Sequence, residues 1–159
     1  MGRALRCLAP VEVVTSGWQL GVSNILRVMA HGSAAPGVVQ LSRADRSPVL
    51  LLKVSIDYAV MLDGSSSRRP SYRAEISRYI YVVSDLSERE LFAYHWHPFG
   101  VSDVGTPHFH VSAARDIFLP TQSANQRAEA IPLGKLHFPT NHIALPELVR
   151  FLITELGVG

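Results

Sequence analysis

The residues best suited to chemistry are two His-x-His pairs, His95-Trp96-His97 and His108-Phe109-His110. The ten residues between them include Pro98, Gly100, Gly105 and Pro107. Alternate residues of a β-strand share a face, so each pair projects both imidazoles the same way. If the gap is a hairpin loop, all four rings meet on one patch of sheet. Three neutral imidazoles with a carboxylate suit zinc or another divalent transition metal, leaving a position for water. Without metal, crowded histidines repel one another when protonated, and their pKa values fall toward a general-base range. Beside Tyr and Arg, such a pair can cleave a phosphodiester with the RNA 2′-hydroxyl as nucleophile. The competing reading is structural, with the histidines bonded only to water and backbone.

The elements that must position these residues read as strands. From Val49 the pattern alternates, with Val54, Ile56, Tyr58, Val60 and Leu62 on one face. Asp63 to Pro70 is a turn, and a second strand runs over Ser71–Val83, with Ala74, Ile76, Ile80 and Val82 on its apolar side. A turn at Ser84–Glu88 leads to strands over Glu90–His97 and His108–Ser112. Four consecutive strands with short turns predict an antiparallel meander spanning 49–112.

Leu145, Leu148, Val149, Leu152, Ile153 and Leu156 form one apolar stripe of a helix, with Pro146 near its start and Gly157 at its end. The expected architecture is therefore α+β: a sheet of about four strands with the C-terminal helix, 145–156, packed on one face. Residues 1–40 are the least readable. Val11 to Ala30 suggests a helical N-terminal segment, broken by Gly32–Gly37. Residues 113–135 carry no assignment.

The apolar pattern also selects a register. Pairing Trp96 with Phe109 and Tyr94 with Val111 gathers the aromatics on the core face, and opposes His97 to His108 and His95 to His110. A one-residue slip would set histidines against aromatics and spoil both faces. Extending the sheet with Ile76 and Ile80 in the core brings Glu75 and Ser77 beside the histidines and Asp57 near Ser77 or Glu75. Arg73 then shares that face, where it can hold phosphate or a carboxylate. The expected site is His95, His97, His108 and His110, the same four serving as candidate metal ligands, supported by Glu75 and Arg73. His137 and His142 can approach it, although loop histidines are more often solvated; His31 is incidental.

Composition narrows the classes. With 159 residues, 47% of them apolar and 18% charged, the chain is the size and type of a single folded domain. The net charge of +2 is too small for a general electrostatic hold on nucleic acid or membrane. Arg68, Arg69, Arg73 and Arg78 lie close together among tyrosines, a cluster read first as a solvated turn. Cys7 is the single cysteine, so no internal disulfide forms and a reducing, cytoplasmic location is expected. Glu12 interrupts any signal-peptide stretch, and no apolar run approaches the ~20 residues that span a bilayer.

Several known layouts are incomplete here. A third alternating histidine is lacking after His110, His-x-Ser occurs only once within the expected strands, as His110-Val111-Ser112, and neither His-x-His is followed shortly by glutamate. The Pro107–His110 stretch matches only the end of a LytM-type metallopeptidase site. The segments Arg89–Pro98, Pro107–Val111 and Leu136–Thr140 resemble a family of small bacterial proteins with Tyr-His-Trp-His-Pro and Pro-His-x-His motifs. More distantly, Tyr94, His95, Pro107 and His108 are similar to the TumE-type toxins of toxin–antitoxin modules. Asp103-Val104-Gly105-Thr106 departs from the Arg-Tyr-Asp type of segment found there, and the N-terminal half takes no part. What the resemblance implies is a toxin-like protein with an antitoxin partner; the first expectation is that such a protein acts on RNA or a nucleotide through its His-rich sheet face. The two other expectations are a metal-binding hydrolase and a non-catalytic interaction domain with structural histidines.

Overall fold

A computed structural model describes residues 8, 11–17, 19–30, 37–63, 70–99, 104–114, 118–121 and 129–159. Among the described residues ten strands form in chain order: β1 (Val11–Thr15), β2 (Ser23–Ala30), β3 (Val38–Ser42), β4 (Pro48–Asp63), β5 (Ser71–Ser84), β6 (Glu90–Trp96), β7 (His108–His110), β8 (Phe118–Thr121), β9 (Glu129–Pro132) and β10 (Phe138–Pro139). A helix, α1 (Leu145–Leu156), follows. The main antiparallel sheet has eight strands in the order β1-β2-β4-β5-β6-β7-β10, with β3 also paired to β4. β8 and β9 make a separate hairpin.

The expected meander is present as β4 to β7, but the sheet is twice the expected width. Where a helix is expected over Val11 to Ala30, the described residues form β1 and β2, a hairpin whose second strand pairs with Ser55–Ala59 of β4. Val11, Val13, Val14, Thr15, Ile25 and Val28 are β-branched, and the free side of β4 supplies the partner that a single amphipathic helix would lack. Gly17 and Gly21, both at positive φ, carry the chain round between the two strands. At the other end, β10 adds to β7. The unassigned stretch holds 3₁₀ turns at Ser112–Ala114 and Leu133–Lys135 on either side of the β8–β9 hairpin.

α1 covers one face of the sheet, as its apolar stripe requires. Leu145, Leu148, Val149 and Leu152 are buried against Val39, Leu41, Leu52, Val54, Ile56, Tyr79, Tyr81 and Val83. The stripe is narrower than its periodicity suggests, because Ile153 stays 38% exposed at its edge. Glu147 accepts a hydrogen bond from the Ala144 backbone N–H at 2.7 Å, fixing the first turn. Gly157 closes the helix in the left-handed conformation, and Gly159 N–H then bonds the Ser42 carbonyl at 2.9 Å.

Two extra residues decide which side chains face the helix. Asp57 opposes Arg78 but Tyr58 opposes Ile76, which leaves Ser77 as a β-bulge. Ala74 and Ile76 therefore share the helix side with Tyr79, Tyr81 and Val83, whereas Ile80 and Val82 turn to the other face. The uniform alternation expected along this strand, with Ile80 in the core, is thus reversed by one residue. A second irregularity falls in β6, where Phe92 opposes Val83 and Glu90 opposes Ser84, leaving Leu91 unpaired.

Candidate metal centre

β6 and β7 build the centre on the face away from α1. Tyr94 and Phe109 are opposed on the helix side, with rings 4.7 Å apart. Strand alternation then places His95, His108 and His110 together on the opposite side. The ring centroids stand 5.7 Å apart for His95–His108, 4.9 Å for His95–His110 and 4.9 Å for His108–His110. One nitrogen of each ring lies within 4.8 Å of the others.

The observed register opposes His95 to His108 and Ala93 to His110, two residues from the expected pairing. A slip of two preserves both faces, since side chains alternate with period two, so the cluster survives the difference. Ala93, the residue opposite His110, is fully buried.

Two further rings join. His97 follows the end of β6, 6.0 Å from His95 and 5.4 Å from His108. His137 arrives through β10, whose pairing of Phe138 with Phe109 and Pro139 with His108 aligns the preceding residue with His110. Its ring is 4.4 Å from His110 and 4.9 Å from His108. His142 goes to the helix face instead, edge-on to Trp96 at 4.2 Å. Cys7, His31, Arg68 and Arg69 lie outside the described residues.

Arg73 and Glu75 are not brought to the histidines. They oppose Met61 and Ala59 on a part of the β4–β5 ribbon beyond Tyr79, the last partner of β6. β6 has seven residues and stops at Trp96, so Glu75 sits roughly 10–13 Å further along. The two bond each other at 2.6 Å with both side chains largely exposed. Asp57 is likewise occupied: it faces Arg78 at 3.7 Å, and its carbonyl accepts from the Ser77 hydroxyl.

Among the described residues the carboxylate whose charge acts on a clustered histidine is Glu90, whose Oε1 accepts a hydrogen bond from the Ser112 hydroxyl. Plain alternation puts Glu90 on the same side as Phe92, Tyr94 and Trp96. The unpaired Leu91 breaks that alternation, and the sequence carries no separate signal for it.

His108 is 1% exposed, and its Nδ1 lies 2.7 Å from the Thr106 carbonyl. A carbonyl only accepts, so Nδ1 carries the proton and Nε2 keeps its lone pair. That Nε2 is buried without a hydrogen-bond partner, as is the Nε2 of His95. A ring held by a carbonyl on one nitrogen, with the other free, is the usual preparation of a metal-ligating histidine.

Electrostatics act in the same direction. Burial, followed by the neighbouring His110, His108, His97 and His137, pushes the His95 pKa down to about 4. Burial also lowers His108, aided by His137 and His97 and opposed by the Thr106 carbonyl. His110 is lowered by burial, His137, His108 and His97, and pulled back by Glu90. Three neutral imidazoles at neutral pH need release no proton to bind a cation. Tetrahedral zinc with bonds of 2.0–2.1 Å sets its ligand nitrogens about 3.4 Å apart, so modest ring rotations close the triad.

Comparison with known proteins yields no relative: no family model, no curated protein and no solved structure matches the chain. Among the described residues, no helix is long and apolar enough to cross a membrane.

Proposed function

We propose that this protein is a metal-dependent hydrolase whose cation is held by His95, His108 and His110. The observation that carries this reading is the buried Nε2 of His108, unpartnered and grouped with its two neighbours. Leaving such a polar atom unbonded costs on the order of 1–3 kcal/mol, which a coordinate bond would relieve. An all-imidazole set suits zinc or a neighbouring transition metal rather than calcium or magnesium, which prefer oxygen. Three protein ligands leave a position for water, which a bound cation activates for hydrolysis near neutral pH. His97 and His137 flank that triad and are placed to orient water or substrate.

Metal-free cleavage of RNA, the other chemistry open to crowded histidines, calls for one imidazole charged at neutral pH beside a neutral one. The depressed pKa values of His95, His108 and His110 favour the metal reading over that one. The partner proposed with the toxin-like reading, an antitoxin, rests on the motif resemblance.

Elemental analysis of the purified, untagged chain tests the metal reading, alongside a variant with alanine at His95, His97, His108 and His110. About one transition-metal ion per chain, lost in the variant, is the expected result. A folded wild type that neither carries such a metal nor takes up added zinc would overturn it.

A further inference from the structure

We propose that the open edge of β5 pairs with the same edge of a second copy of this chain, giving a two-fold symmetric dimer through one continuous antiparallel sheet. The inference is independent of the metal reading, since it concerns the ribbon that β4 and β5 extend past the histidines.

The edge opens where β6 stops. Tyr79 is the last residue of β5 with a partner in β6, so among the described residues no strand pairs with residues 73–78 on that side. Residues 72–78 are all exposed, whereas β5 from Tyr79 onward alternates between buried and half-buried. A strand edge of this kind is a template for another strand. Its backbone groups face outward. The Gly21 N–H donates to the Val60 carbonyl at 2.9 Å, on the side of β4 away from β5. Val60 and Ala74 are therefore a non-hydrogen-bonded pair, and Ala74 turns its own N–H and C=O to the open edge. By alternation Tyr72 and Ile76 face the same way, over the regular stretch that ends at the Ser77 bulge.

The side chains name the occupant. Arg73 and Glu75 flank Ala74 on one face and bond each other at 2.6 Å. With the two-fold axis through the Ala74 pair, Arg73 of each copy opposes Glu75 of the other, and the charges alternate in sign around the axis. A shift of two residues either way would set Arg73 against Arg73 or Glu75 against Glu75, and a shift of one would set the charged face against the apolar one. The same register opposes Tyr72 to Ile76 on the helix side, an aromatic–β-branched pair at each end of the contact. These side chains are 53% and 43% exposed in the single chain. The second copy's Tyr72 then lies in the lane that β6 leaves after Trp96, at a cleft of about 390 Å³ lined by Ala74, Ile76, Tyr79, Trp96 and His142. About six backbone hydrogen bonds join the copies, and because the contact is isologous, assembly closes as a dimer. An unrelated strand need not repeat this charge order about its centre; the chain itself does.

Sedimentation equilibrium of the full chain across roughly 1–100 µM tests the inference. The wild type is expected at twice the 17.5 kDa of one chain. Arg73→Glu and Glu75→Arg each set like charges against one another at both ends of the axis, and each should weaken dimerisation at least ~10-fold. Combining them reverses the charge order and should restore the wild-type constant. Neutralising substitutions remove an attraction without adding a repulsion, so the reversals are the sharper variants. Both positions are exposed, and circular dichroism of every variant should match wild type. A wild type that stays monomeric at the top of the concentration range overturns the inference, the result expected if a strand of another protein takes this edge. A dimer indifferent to both reversals also overturns it, by placing the interface elsewhere. Failure of the combined variant to recover overturns the register centred on Ala74.

Discussion

His108 donates its Nδ1–H to the carbonyl of Thr106, two residues back, at 2.7 Å, and this one bond leaves Nε2 as the nitrogen with a lone pair to offer. The acceptor is backbone in the segment that leads into β7, so the ring orientation is built into the strand's entry. Because the same ring is 1% exposed, its Nε2 has no water to fall back on. A centre that is preorganised in this way should be sensitive to each of its members in a graded order.

Loss of His108 should weaken zinc most, because its ring is buried and already oriented by the Thr106 carbonyl. We expect His108→Ala, His95→Ala and His110→Ala each to lower affinity by at least ~100-fold, as removal of one of three ligands does, since even an outer-sphere partner is worth 10–100-fold. His97→Ala and His137→Ala should lose less. Chelator competition across the five variants reads the order, and equal losses at all five positions would argue against a defined triad.

Zinc should also raise thermal stability, since it binds the folded chain. At free metal a hundredfold above Kd the gain is about 2.7 kcal/mol. For 159 residues that corresponds to a rise in Tm of roughly 5–10 °C. Scanning calorimetry with and without zinc measures it, and the rise should vanish in His108→Ala.

The metal-free chain should be acid-sensitive in a defined window. His95 has a pKa of about 4 in the folded protein against 6.5 as a free side chain, so the unfolded state binds more protons between these values. Stability from this group is whole above pH 6.5, falls as pH drops toward 4, and changes no further below. The full loss is on the order of 3 kcal/mol. Urea unfolding between pH 8 and pH 4 should show a smaller loss for His95→Gln than for wild type. Parallel curves for the two proteins would contradict the cause assigned here.

Arg73→Ala and Glu75→Gln should leave zinc affinity unchanged. Their pairing is at the surface, so stability should fall by no more than about 1 kcal/mol. A large loss of metal in either variant, measured by the same competition, would bring these residues back into the site.

Leu152→Ala tests the other face. The side chain is completely buried between α1 and the sheet, and its truncation should cost about 2–5 kcal/mol in chemical denaturation. The centre lies beyond the sheet from this cavity, so zinc stoichiometry of the folded fraction should remain that of wild type.

Much of this arrangement is legible in the residues alone. The alternation of Trp96 with His95 and His97, and of Phe109 with His108 and His110, fixes that aromatics and histidines part to opposite faces in any even register. That is why the cluster tolerates a pairing two residues from the one that the apolar pattern suggests. The stripe Leu145, Leu148, Val149 and Leu152 likewise placed α1 within its observed bounds, since helical period and a buried sheet face agree.

Only the tertiary structure decided the rest, and for a common reason. Ser77 and Leu91 are single residues that break alternation; nothing in their identity marks them, yet one excludes Ile80 from the core and the other accompanies the turn of Glu90 toward Ser112. The N-terminal β-hairpin depended on the open side of β4, a partner more than twenty-five residues away from Ile25 in the chain. His137 became a neighbour of His110 through β10, a two-residue strand that local sequence cannot announce. Period and residue type are local properties and were readable from the chain. Bulges, partners of distant strands and the meeting of Glu90 with the histidines are set by packing between segments, where the energy belongs to the contact rather than to either sequence alone.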